Sequence, residues 1–154
     1  MRFLHKYTCI RFVLLLALLA AWAQEGMAQE NSTIMEYLVK ERPTLAGLVT
    51  KAGFAPLLSG NQPVTLLAPP ESALQALKQE SPEQLRSILS VHVLRGEYLK
   101  KDLKEGQTIK AVCGSPITVY RKGGQTLING VPLQRTDIEA KNGVIHELGG
   151  VLAM

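Results

Sequence analysis

The chain has 154 residues, with 17 Lys and Arg against 13 Asp and Glu, two cysteines and only 5% aromatic residues. That length suits one domain able to bury its own core. A mild positive charge with few aromatics to stack bases argues against a nucleic-acid surface, and two cysteines do not make a disulfide framework.

The N-terminus carries Arg2, Lys6 and Arg11, then an uncharged run from Phe12 to Ala23 (FVLLLALLAAWA), then small residues up to Ala28. This is the three-part layout of a secretory signal peptide. The run is shorter than the roughly 20 residues that span a bilayer as a helix. Cleavage is expected after Ala28, with Ala23 as the second small-residue site. The domain plan is therefore a cleaved segment over 1–28, a flexible tail over 29–33 and one domain over 34–154. The mature part keeps a net charge of about +2, and Lys100, Lys101 and Lys104 are interrupted by Asp102 and Glu105, which reads as a solvated face.

Thr33-x-x-Glu36 can cap a first helix (TIMEYLVKE) that stops near Glu41, because Arg42 precedes Pro43. Leu45, Leu48, Val49 and Ala52 make one apolar face of a second helix over Thr44 to Ala52, with Gly53 as its stop. After the Gly60–Pro63 turn, Val64 to Ala68 reads as a strand buried on both faces. Pro70 to Gln79 is helical, with Leu74 and Leu77 inward. Ser81-Pro82-Glu83-Gln84 opens another helix, whose buried face is Leu85, Ile88 and Leu89.

After Gly96 the texture changes. A short helical turn (YLKKDLKEG) leads to the strand-like runs QTIKAV, PITVYR, TLI, VPLQ and NGVIHEL, with reversals at Gly123-Gly124, Asn129-Gly130 and Asn142-Gly143. Helices first and a strand meander later is an α+β layout. If Ile109, Ala111 and Cys113 alternate on one strand face, with Lys110 on the other, Cys113 is expected to be a buried, slow-reacting thiol in a monomeric domain.

Four segments stand in one order: PTLAGLVTKAGFAPLLSG, TLLAPPESAL, VHVLRGEY with DLKEGQTIK behind it, and NGVIHELGGVL. Together they resemble a fasciclin domain over about Asn31 to Met154. The resemblance implies a β-wedge or sandwich with several N-terminal helices packed on it, and a role in extracellular adhesion or matrix interaction without enzymatic activity. There are departures. Pro70 stands where the family has a Thr, Val91 replaces the Tyr of the Tyr-His motif while His92 is kept, and Gly149 falls on a commonly acidic position. The two regions implicated in integrin binding by animal members are thus altered, and integrin recognition is not carried over.

Val91, His92 and Val93 are the candidate partner-binding residues, set against a core role for His92 with its ring nitrogens bonded to backbone. His146 and Glu147 are adjacent on one strand and point to opposite faces. No zinc-ligand spacing, nucleophile elbow or phosphate loop occurs, so no catalytic residue, metal or cofactor is assigned. The expected product is a secreted binding module, placed outside the cell, on its surface or in a periplasm, that takes a protein or polysaccharide partner. The alternative is a carrier of a small apolar ligand in a groove between helices and wedge.

Overall fold

The computed structural model describes residues 31–153. The expected signal peptide and cleavage site lie outside them, as does the start of the tail. The described part of that tail is tied down: the Ser32 carbonyl accepts the Lys141 amide, and Thr33 caps the first helix.

Helix α1 (Ile34–Glu41) begins with a reciprocal capping box between Thr33 and Glu36. The two bonds from Thr33 hold the Glu36 carboxyl below its ordinary range. Helix α2 (Pro43–Lys51) starts on Pro43 and ends before Gly53, whose φ of +82° provides the left-handed stop. A short helix α3 (Ala55–Ser59) follows, which the apolar periodicity of the sequence does not announce. Strand β1 (Val64–Ala68) is buried along its whole length. Helix α4 (Glu71–Leu77) has no side-chain cap at Pro70, and Glu71 supplies the acidic group in its first turn. Helix α5 (Pro82–Ser90) again carries a full capping box, Ser81 with Gln84.

Strand β2 (Val93–Arg95) runs directly out of α5, and a 3₁₀ turn (Lys100–Asp102) leads to β3 (Thr108–Lys110), β4 (Pro116–Lys122), β5 (Gln125–Ile128), β6 (Val131–Ala140) and β7 (Gly143–Leu148). The order in space is β2-β1-β7-β6-β5-β4-β3. The two ends of this sheet meet, because Leu94 bridges to Ala111 and the Val112 amide donates to the Val93 carbonyl. The result is a nearly closed wedge with little free edge. Neighbours pair antiparallel except β1 and β7, which run parallel from Val64↔Gly143 to Ala68↔Glu147.

The central strands separate two cores. On one side Val64, Leu66, Ala68 and Ile145 pack against the helices through Leu38, Leu45, Leu58, Leu74, Leu85 and Leu89. On the other side Leu67 and Leu148 join Val91, Leu94, Leu103, Ile117, Val119, Ile128 and Leu152 inside the wedge. Fully burying each such side chain contributes about 1.5–3 kcal/mol.

Two reversals work as the residue types require. Asn129 and Gly130 have φ of +48° and +85°, the left-handed pair that a two-residue hairpin needs. Gly143 has a different task. It is paired in β7 beside Val64, and a Cβ there would fall inside van der Waals contact with the Val64 carbonyl, so only glycine lets β7 approach β1.

Cys113 departs from expectation: it is exposed. Ile109 and Ala111 do face inward, but the strand stops there. The Gly114 amide donates to the Ala111 carbonyl, and Gly114 has φ of +88°, so Val112 and Cys113 form a turn and the period-two alternation ends one residue too early. Val112 leans on the helix-side core, and the thiol is left outside.

Candidate binding surface

The stretch after α5 is where the family motif and the candidate residues coincide. The structure places Val91, His92 and Val93 in the interior, none more than 1% exposed. Val91 belongs to the wedge core and Val93 to the helix-side core. The His92 ring bridges two distant segments: Nδ1 lies 2.8 Å from the Ile88 carbonyl oxygen, and Nε2 accepts the Leu152 amide at 3.0 Å. Burial pushes the His92 pKa down to about 4, against the pull of the Ile88 carbonyl, so the ring is neutral at pH 7.

His146 repeats the device on β7. Its Nδ1 accepts the Asp137 amide at 3.1 Å, and Nε2 sits 2.6 Å from the Tyr98 carbonyl oxygen. Burial lowers its pKa too, opposed by the Tyr98 carbonyl and the Asp137 carboxylate. Glu147 points to the other face, where it meets Arg42 at 3.1 Å.

Two further polar anchors stand outside the candidate residues. Asn142 accepts the Ile34 amide and donates to the carbonyls of Leu58 and Gly60, all at 2.8 Å, tying α1, the end of α3 and the β6–β7 turn together. Arg42 reaches Glu147, Glu71 and the Pro69 carbonyl from the α1–α2 junction. In the sequence Asn142 stands in a reversal at the head of the NGVIHELGGVL segment and Arg42 is the residue before Pro43, and neither place points to a side-chain anchor.

What is open lies on the outer side of the same stretch. Phe54, Glu83, Arg86, Ser87, Ser90, Val112 and Cys113 line a surface groove of about 390 Å³ between α5 and the β3–β4 turn. The Arg86 guanidinium stacks over the Phe54 ring at 5.7 Å, which fixes the direction of its charge. At Cys113 burial pushes the thiol pKa up, but hydrogen bonds with Ser115 and Ser90 together outweigh it, and the net shift is downward. Lys100, Lys101 and Lys104 are exposed. Among the described residues, no group of three His, Cys, Asp or Glu is placed to hold a metal ion, and no helix is long and apolar enough to cross a membrane.

Residues 40–154 match the fasciclin domain. The chain belongs to the fasciclin domain family. Its relatives include the protein sll1735 of Synechocystis, 34% identical over 119 residues, which cover 72% of this chain and 88% of that protein. Another is the transforming growth factor-beta-induced protein ig-h3 of Sus scrofa, 32% identical over 117 residues. There the match covers 71% of this chain but 17% of the pig protein, which is several times longer than the matched fasciclin unit. Among solved structures, a FAS1 domain pair from the insect cell adhesion molecule fasciclin I superposes with a TM-score of 0.63 at 22% identity. It covers 80% of this chain and 51% of that one, a likeness of fold.

The family departures now have structural readings. Val91 fills the wedge core where a tyrosine is usual, and Pro70 leaves α4 without a hydroxyl cap. Gly149 has Pro132 Cγ 3.1 Å from where a Cβ would stand, so a side chain there would press on the neighbouring strand.

Proposed function

We propose that this fasciclin domain is a secreted, non-enzymatic binding module that engages an extracellular or cell-surface protein or polysaccharide, and that the groove beside α5 is its contact surface. The observation that carries the reading is the split along α5. Leu85, Leu89 and the following Val91 to Val93 are committed to the core, while Arg86, Ser87 and Glu83 stand on a rigid helix beside Phe54 and Val112. A fixed guanidinium and carboxylate next to apolar surface suits recognition of a partner that is itself part charged and part apolar.

Two facts support a binding role over a chemical one. Both described histidines have each ring nitrogen engaged by a backbone group, which leaves neither free to act as a base for a nucleophile. The insect structure of like fold belongs to a cell adhesion molecule, which favours adhesion as the class of role here. The helix-side core packs between helices and wedge, which supports the binding-module reading over an apolar-ligand carrier.

The test is retention of extracellular or envelope proteins and polysaccharides on the immobilised domain, with Arg86→Glu in parallel. The reading expects capture by the wild type and its loss in the variant. Equal capture by both would remove the groove from the account.

A further inference from the structure

A backbone amide brings one proton to its bond, so the ring nitrogen that receives it must be bare. His92 Nε2 receives the Leu152 amide, which places the single ring hydrogen of His92 on Nδ1, donated to the Ile88 carbonyl. By the same reasoning His146 is bare at Nδ1, facing the Asp137 amide, and carries its hydrogen on Nε2, donated to the Tyr98 carbonyl. Each imidazole is therefore a neutral pin that joins three segments, and each works only while neutral.

What the pins hold is the closure of the wedge core. Past Gly149, whose amide donates to the Pro132 carbonyl, the chain leaves the sheet. Leu152 then returns, 3% exposed, as part of the wedge core. Among the described residues, the hydrogen bond holding this returning segment is the one to His92. His146 holds the loop at Tyr98 to the β6 bulge, where Asp137 sits at φ +58° and its carboxylate accepts the Lys100 amide.

We propose that His92 and His146 form an acid-sensitive latch. Neutral, they keep the segment after β7 and the Tyr98 loop closed over the wedge core. Protonated, each turns an N–H against a backbone N–H and releases its segment, while the helix-side core stays folded. The surroundings give protonation little compensation at His92: α5 presents the Ile88 carbonyl, the returning segment presents the Leu152 amide, and among the described residues no ionised side chain acts on the ring. At His146 the Asp137 carboxylate is the facing charge, already accepting the Lys100 backbone amide, while Glu147 and Arg42 lie across β7. Burial keeps both rings below the ordinary histidine range, so both are neutral at pH 7.

The experiment is residue-resolved amide hydrogen exchange on the purified protein from pH 7 to pH 4, corrected for the intrinsic exchange rate. An imidazole moved from 6.5 to about 4 favours the open form by about 100-fold at pH 4. Protection of the Leu152 amide should fall by about that factor and that of Asp137 should also fall, and both should stay less protected than Leu48 and Val49 in α2 at every pH. Constant protection at Leu152 overturns the proposal, and so does equal protection of Leu152 and Leu48 across the range, which is release by global unfolding alone. His92→Gln, which cannot titrate, should flatten the Leu152 profile. If that variant does not fold, ring nitrogen-15 shifts of the wild type replace it: protonation of His92 must track the loss at Leu152, and a mismatch overturns the latch.

Discussion

The inner and outer sides of the stretch from Ser81 to Val93 belong to different economies of the molecule. Inside, Leu85, Leu89, Val91 and His92 hold two cores and a returning chain together. Outside, Arg86 and Ser87 border an open groove with Phe54, Val112 and Cys113. The segment that marks the family in the sequence is the inner one. A family motif can therefore report how the domain is held together while the proposed contact surface stands one helical face away, on residues that no motif names.

The largest effect should come from breaking the interior where it has no freedom to adjust. Gly143→Ala drives a methyl into the Val64 carbonyl at the β1–β7 pair, so we expect a loss above about 4 kcal/mol or failure to fold, read by denaturant melts and soluble yield. Asn142→Ala leaves the Ile34 amide and the Leu58 and Gly60 carbonyls without their partner, at a cost of about 2–4 kcal/mol in the same measurement.

The pH dependence sharpens the same contrast. The folded pKa of His92 is depressed to about 4 from 6.5, so the unfolded chain binds the proton more readily. Its contribution is fully present above pH 6.5 and is lost as the pH falls toward 4, about 3 kcal/mol in all. Melts across that window should show stability rising with pH, and His92→Gln should remove much of the slope. Thr33→Ala deletes one helix cap and should cost about 1 kcal/mol.

The helical half was legible because its signals are local. Capping boxes at Thr33 and Ser81, Pro43 at a helix start and the apolar faces of α2 and α5 are each decided within a few residues. The sheet half was legible in its turns and less so in its pairing. The parallel contact of β1 with β7 joins residues some 80 apart, and β6 extends to Ala140 through two register shifts that break the alternation of RTDIEA. β2 is three residues long and hidden behind a helix end. Cys113 was misplaced for one reason, a turn beginning at Ala111 that period-two reasoning had no means to locate. The groove depends on Phe54, Arg86 and Cys113 meeting across three elements, which only the fold arranges.

The smallest effect on stability should come from the outer side. Cys113 is exposed with a lowered pKa, so native thiol titration should label it rapidly, at a rate close to that of the denatured chain. Slow native labelling would mean that the β3–β4 turn closes over it.

The most direct test pairs stability with binding in two variants, Arg86→Glu on the outer face and His92→Gln on the inner one. Each is measured by denaturant melt and by retention of extracellular or envelope material per folded molecule. Arg86→Glu should stay within about 1 kcal/mol of the wild type, losing little beyond its stacking on Phe54, and should lose capture. His92→Gln should melt earlier and capture as well as the wild type. The opposite pattern, with capture lost in His92→Gln and kept in Arg86→Glu, would contradict the division of this stretch into an inner scaffold and an outer contact surface.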